Sequence, residues 1–160
     1  MDEKVIALIS TLVPTMSEKE KLAFYLAFGA HTGRDQKDHA GLEYIGHPLT
    51  VFAHCDSEDT RVVALLHDVV EDTEITLEDL SLLFEPKIVE AVKLLSHEKG
   101  PYDRETYIKN IKANPIARKV KIEDLRTNMD RSRLLSLLEW HDNKVKKHYK
   151  NEFKELLKDD

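Results

Sequence analysis

The most restrictive feature of this 160-residue sequence is an apolar stretch that runs straight into a cluster of ionisable residues. Residues 62–66 read VVALL and leave no polar face for a helix, so we expect a helix buried on all sides. Directly after them come His67, Asp68, Glu71 and Asp72. Desolvating a carboxylate costs several kcal/mol unless it is paired or binds a metal. The junction therefore suggests a cation site at the end of a buried helix.

The rest of the sequence favours an all-α fold. It has five glycines and five prolines, and apolar residues recur three and four positions apart rather than alternating. Ser17 to Glu20 has the form of a capping box, and Pro48 and Pro115 suit first helical turns. The length fits one helical-bundle domain over residues 1–160, with a C-terminal helix over residues 142–158.

Charge and cysteine content exclude several functional classes. The 24 basic and 30 acidic residues give a net charge of −6, the wrong sign for holding nucleic acid through its phosphates. No apolar run is long enough to span a membrane, and no signal peptide opens the sequence, so we expect a cytoplasmic protein. The lone cysteine, Cys55, excludes an internal disulfide and leaves histidine and carboxylate as metal ligands. The oligomeric state stays open.

Helical spacing gathers the ionisable cluster around one helix end. His67 and Glu71 are four positions apart, as are Asp68 and Asp72. A helix end with solvated polar residues is the ordinary interpretation of a lone His-Asp pair. This sequence carries further candidates at other helix boundaries.

Those candidates are His47, which precedes Pro48, and Asp124, on the helix expected to begin at Pro115. Lys121 lies three positions before Asp124, and Asn128 lies four positions after it on the same face. Two histidines and two aspartates from three helices would form a mixed nitrogen and oxygen donor set. Such a set suits Mn, Fe, Zn or a similar divalent ion.

Three motifs at these separations resemble those of the HD-domain metal-dependent phosphohydrolases. They are residues 44–48 (YIGHP), residues 64–73 (ALLHDVVEDT) and residues 121–129 (KIEDLRTNM). Within that family the sequence is most similar to the RelA/SpoT-type (p)ppGpp 3′-pyrophosphohydrolases and their small stand-alone relatives. The similarity extends over a motif-bearing core at about residues 31–135, and it implies an HD-domain helical bundle.

The resemblance also implies roles for individual residues. It implies four ligands of a divalent metal, usually Mn²⁺: His47, His67, Asp68 and Asp124. Glu71 and Asp72 match the acidic pair that positions and activates the attacking water, and Asn128 matches an asparagine near the nucleotide. The implied reaction removes pyrophosphate from the 3′ position of guanosine tetra- or pentaphosphate.

The segment after His31 departs from the family pattern. Asp38 and His39 stand where many of these hydrolases have Arg-Lys. We take Arg34, Lys37 and His39 as substitute contacts for the substrate, in a loop over residues 32–43 that is a candidate lid. The departure leaves open another nucleotide substrate, such as a deoxynucleotide monophosphate, a cyclic nucleotide or NADPH. A non-catalytic nucleotide-sensing HD module is a third hypothesis.

The remaining histidines are interpreted structurally. His31 is expected to brace the loop, while His54 and His97 have no partners at ligand spacing and are expected to be surface or core histidines. Tyr102 and Arg104 flank the Gly100-Pro101 turn, where a phosphate contact and a solvated turn are both open interpretations.

Overall fold

The structure, a computed structural model, describes residues 1–33, 43–97, 101–130 and 148–159. Within these ranges it contains helices and no β-strand, which confirms the all-α prediction. A short 3₁₀ turn, Val13–Thr15, follows the first helix. The helices are α1 (Glu3–Leu12), α2 (Glu18–His31), α3 (Gly46–Ala53), α4 (Glu58–Leu66), α5 (Val69–Asp72), α6 (Leu77–Ser81), α7 (Pro86–Leu95), α8 (Arg104–Ala113), α9 (Pro115–Met129) and α10 (Lys150–Leu157).

Several helix starts are encoded locally by side-chain caps. Ser17 caps α2, and Glu20 returns its carboxylate to the Ser17 backbone N–H, as the capping-box pattern predicts. Thr76 and Asp79 form the same reciprocal pair at α6. Pro115 occupies the first turn of α9, where its missing N–H costs no hydrogen bond.

Helix α4 is the central helix of the bundle. It packs against α2, α3, α7 and α9, and the side chains of residues 62–66 are at most 1% exposed. The prediction of a helix buried on all sides is therefore confirmed. Because four helices surround α4, the residues that directly follow its last turn lie in the middle of the bundle.

The chain turns sharply where α4 ends. His67 and Asp68 form a turn, and the one-turn helix α5 follows, with Val69 fully buried beneath it. The Asp72 N–H donates to Asp68 O at 2.9 Å, and the Thr73 N–H donates to Val69 O at 3.0 Å. The turn directs His67 toward α3 and α9 while keeping the acidic residues of α5 beside it.

Two expected elements fall wholly or partly outside the described residues. One is the candidate lid over residues 32–43, and the other is the first part of the C-terminal helix expected over residues 142–158. The described part of that C-terminal helix is α10, and Arg118 of α9 donates a 2.7 Å hydrogen bond to its Leu156 O. None of the described helices has both the length and the apolar character needed to cross a membrane.

Two leucines of one helical turn test this packing. Leu80 is fully buried under α6, whereas Leu82, at its C-terminal end, is 83% exposed. We expect Leu80→Ala to lower the free energy of unfolding by about 2–5 kcal/mol, because it removes buried methyl groups and leaves a cavity. Leu82→Ala is the matched control and should change it by less than about 0.5 kcal/mol. Urea unfolding measures both, and equal losses would contradict the assigned core.

Candidate metal centre and its cavity

Three buried side chains from separate parts of the bundle meet at its centre. His47 comes from the first turn of α3, His67 from the turn after α4, and Asp124 from α9. One nitrogen or oxygen of each lies within 4.8 Å of the others. His47 Nε2 is 3.0 Å from Asp124 Oδ1, and His67 Nε2 is 3.7 Å from the same oxygen. This geometry brings together three of the four residues that the resemblance implies as ligands.

The His67 imidazole is held in an orientation that suits metal binding. Its Nδ1–H donates to Ala64 O at 2.7 Å, so the ring is anchored and Nε2 faces the cluster. Within the described residues, Nε2 is buried and makes no hydrogen bond. A backbone carbonyl on one ring nitrogen, with the other nitrogen facing the donor cluster, is the arrangement of a metal-ligating histidine.

The Asp124 carboxylate is fixed at both oxygens. Lys121 Nζ contacts Oδ2 at 2.9 Å, and Asn128 Nδ2 donates to Oδ1 at 3.0 Å. Burial disfavours the charged carboxylate, but Lys121 and the imidazoles of His47 and His67 outweigh burial and hold the pKa of Asp124 well below its usual range. The centre therefore contains an ionised carboxylate with Oδ1 turned toward both histidines.

Asp68 lies beside this group without belonging to it. Its Oδ2 is 2.9 Å from His67 Nε2 and accepts a hydrogen bond from the Tyr44 hydroxyl. Burial works against ionisation, but the neighbouring His67 holds the pKa of Asp68 below its usual range. Asp68 and Asp124 in turn raise the pKa of His67 well above its usual value despite its burial. The residues around His67 Nε2 thus favour positive charge at that point.

The donor set fits a divalent cation. Two imidazole nitrogens and one or two carboxylate oxygens are ligands for Mn, Fe, Zn and related ions. A cation between these groups would replace the positive charge that the two aspartates otherwise draw onto His67.

The centre opens onto a cavity of about 420 Å³, a volume in the range of small-molecule sites. The acidic residues Glu71 and Asp72 of α5 line it next to the buried group. Burial raises the pKa of the Glu71 carboxyl, and the nearby His97 partly opposes the rise. A carboxylate with a raised pKa accepts a proton more readily, which suits the role of a general base.

The cavity lining also includes aromatic side chains and a basic side chain near α8. Tyr102 and the α8 residues Arg104 and Tyr107 line it, together with Tyr149 and Glu152 near the C-terminus. Arg104 donates to the Tyr102 hydroxyl at 3.0 Å and forms an ion pair with Glu152. For Tyr102 and Arg104, the sequence left open a phosphate contact or a solvated turn. Both side chains line the cavity, a position that is compatible with the phosphate contact.

Most candidate residues from the sequence lie on this one cavity. The structure brings seven of them to it: His47, His67, Asp68, Glu71, Asp72, Asp124 and Asn128. The three proposed substrate contacts Arg34, Lys37 and His39 lie outside the described residues. His31 is also buried, but it packs against the ring of Tyr44, with centroids 4.8 Å apart and planes inclined by 47°, and is not one of the three residues of the buried group.

The sequence interpretation missed Tyr44 and His97 as cavity residues. Tyr44 was part of a recognised motif, so its place three positions before His47 in the sequence was an available signal. His97 had no such signal, because it follows the end of α7 and lies 26 positions from Glu71, the residue that it contacts. Cys55 is buried as expected, and burial raises the pKa of its thiol to about 12.

Comparison with protein families gives one match that covers most of the chain. A model of the HD domain family matches residues 29–145. This segment contains all three residues of the buried group and both acidic residues of α5. The match confirms the resemblance carried by the three sequence motifs.

Two curated relatives differ in how much of their length the chain spans. The chain is 35% identical over 99 residues to the bifunctional (p)ppGpp synthase/hydrolase SpoT of Escherichia coli K12, covering 59% of this chain but 14% of that protein. It is 30% identical over 145 residues to the mouse guanosine-3′,5′-bis(diphosphate) 3′-pyrophosphohydrolase MESH1, covering 83% of this chain and 81% of the relative. The chain thus spans a small part of SpoT and most of MESH1.

A solved structure resembles the whole bundle. It is described as a metazoan ortholog of SpoT that hydrolyzes ppGpp and plays a role in starvation responses. The TM-score is 0.69 at 25% sequence identity, and the alignment covers 89% of this chain and 87% of the other. This likeness agrees with the helical fold described above.

Replacing one histidine of the buried group tests whether the centre binds an ion. We expect His67→Ala to weaken the affinity for a divalent ion by more than about 100-fold, because a ligand matters at least as much as the groups that orient it. The measurement is calorimetric titration of chelator-stripped protein with Mn²⁺, Co²⁺ or Zn²⁺. His54→Ala, at an exposed histidine directly after α3, is the control and should bind as the unaltered protein does. Equal affinity in both variants would place the ion elsewhere.

Proposed function

Since the chain belongs to the HD domain family, we propose that it is a metal-dependent phosphohydrolase that removes pyrophosphate from the 3′ position of (p)ppGpp. One observation carries this proposal. The buried group of His47, His67 and Asp124 and the acidic residues of α5 face the same cavity. The activity that the MESH1 name describes supports the choice of substrate, because the chain spans most of that relative.

We propose four ligands for the ion: His47, His67, Asp68 and Asp124. The carboxylates and imidazoles suit Mn²⁺, which is our choice among the divalent ions that such donors accept. A bound divalent ion polarises a phosphate oxygen and lowers the pKa of a coordinated water. Lys121 and Asn128 keep the Asp124 carboxylate in place through one contact to each oxygen.

Glu71 and Asp72 are the proposed catalytic pair. In the proposed reaction, water attacks the phosphorus bonded to the 3′ oxygen, and the bond between that phosphorus and oxygen breaks. Pyrophosphate leaves with the oxygen of the water, and the 3′ oxygen takes up a proton from solvent to become the 3′-hydroxyl of the nucleotide. Glu71 takes a proton from the water, a role that suits its raised pKa and its place on the cavity. Asp72 helps to position the water.

The proposed substrate contacts come from two parts of the chain, and a third adds a positive charge to the cavity. Asn128 lines the described cavity and is proposed to lie near the nucleotide. Arg34, Lys37 and His39 are proposed to contact its phosphates from the segment after His31. The Arg104 guanidinium adds a positive group to the cavity lining. We further propose a cytoplasmic location, with a phosphorylated nucleotide rather than nucleic acid as the partner.

Substrate choice is tested with a panel of nucleotides. Chelator-stripped protein reloaded with Mn²⁺ is expected to release pyrophosphate from ppGpp and to leave GTP, NADPH and a deoxynucleotide monophosphate intact. The assay follows the released phosphate species by chromatography. Turnover of another nucleotide alone would keep the phosphohydrolase chemistry and overturn the alarmone assignment. Binding without turnover of any nucleotide would favour the sensing module instead.

The catalytic role of Glu71 has its own test. Glu71→Gln should lower kcat by about 10²- to 10⁴-fold, because the amide keeps the shape of the side chain but cannot accept the proton. Affinity for Mn²⁺ should stay unchanged, whereas Asp68→Ala should lose both activity and ion binding. Glu78→Gln, an exposed position on α6, is the control. Full activity in Glu71→Gln would remove this residue from the mechanism.

A further inference from the structure

His97 lies beside Glu71 and contacts both oxygens of its carboxylate. The His97 backbone N–H donates to Oε2 at 3.4 Å, and ring atom Nε2 lies 3.4 Å from Oε1. Two donors from one residue on two oxygens restrict both the position of a carboxylate and its rotation. Such contacts are often long in a free enzyme and shorten when substrate binds.

The imidazole of His97 is held by its aromatic neighbours. It stacks on Tyr102 with ring centroids 4.3 Å apart and planes inclined by 18°. Tyr107 packs against it edge-on at 5.7 Å. Each tyrosine is itself anchored, Tyr102 by the 3.0 Å hydrogen bond from Arg104 and Tyr107 by a 2.9 Å hydrogen bond to Leu95 O. The ring orientation is therefore set before any substrate arrives.

The protonation pattern of the ring is consistent with a donor to Glu71. Nδ1 of His97 is buried and makes no hydrogen bond with any residue in the described ranges. A proton on Nδ1 would be buried without an acceptor, which is costly. The proton of the neutral ring is therefore better placed on Nε2, where Glu71 Oε1 accepts it.

We propose that His97 is a positioning residue that aims the Glu71 carboxylate at the attacking water. The inference rests on the proposed function, since it needs Glu71 as the group that accepts the proton. His97 acts through Glu71 and is not required to touch the substrate or the metal. This role extends the proposed catalytic unit from α5 to the end of α7.

Two substitutions separate this role from a purely structural one. His97→Phe keeps an aromatic ring to stack on Tyr102 but removes the Nε2 donor. His97→Gln loses the stack but places an amide N–H where Nε2 was. His54→Phe is the control. It makes the same histidine-to-phenylalanine exchange at an exposed residue directly after α3, away from the cavity.

We expect His97→Phe to lower kcat by about 10- to 100-fold, the cost of a misplaced catalytic group, with little change in KM. His97→Gln should recover most of the lost kcat, and His54→Phe should behave as the unaltered enzyme. Affinity for Mn²⁺ should be the same in all of them. Equal losses of kcat in His97→Phe and His97→Gln, or a change in KM alone, would overturn the proposal.

A structural readout keeps this test independent of the substrate assignment. In crystal structures, the Glu71 carboxylate should turn away from residue 97 in His97→Phe and stay in place in His97→Gln. An unmoved carboxylate in His97→Phe would overturn the positioning role even in an active enzyme. If the unaltered enzyme does not hydrolyse ppGpp, the proposed function is rejected. The crystal structures of the two variants still test whether His97 positions the Glu71 carboxylate.

Discussion

The ion pair between Lys121 and Asp124 is the interaction on which the site depends. It allows an ionised carboxylate to lie buried inside the bundle, a placement that is costly without a paired charge. Lys121 occupies Oδ2 and thereby leaves Oδ1 to face His47 and His67. The pKa of Lys121 is raised well above its usual value because Asp124 outweighs the effect of burial, so the pair stays charged. Without this pair, the two histidines would face a carboxyl that burial drives toward the neutral form.

The fold delivers the other residues by one sharp turn. Helix α4 is surrounded by four helices, so its C-terminal end must lie deep in the bundle. The turn at His67 and Asp68 places one side chain against α3 and α9, while α5 presents Glu71 and Asp72 to the cavity. Two of the proposed metal ligands, His67 and Asp68, thus share one short segment with the acidic pair, and the hydrogen bond from His67 Nδ1 to Ala64 O links that segment to the central helix. Residues from the end of α7 and the start of α8 complete the cavity lining.

Local patterns predicted most of the fold and the buried half of the site. Some features depend only on residues that are close in the sequence, namely the capping box at Ser17, the prolines at helix starts and the apolar residues 62–66. The structure confirms each of them. His47, His67 and Asp124 were recognisable because each lies within a motif. Asp68 was implied as a fourth ligand; it lies next to the three-residue group, with Oδ2 2.9 Å from His67 Nε2 and the Tyr44 hydroxyl on its carboxylate, and its role as a ligand stays a prediction. His97 could not be found, since its contact with Glu71 depends on how α7 and α5 pack and leaves no periodic signal.

The central claim is that the bundle holds one divalent ion between α3, α4 and α9, next to the acidic pair of α5. Anomalous diffraction at the manganese edge from crystals of the Mn²⁺-loaded protein tests it most directly. The account predicts a single strong peak at about 2 Å from His47 Nε2, His67 Nε2 and carboxylate oxygens of Asp68 and Asp124, the bond length of such an ion to imidazole nitrogen or carboxylate oxygen. A fully loaded crystal with its peak outside this group, or with no ordered peak, would contradict the account.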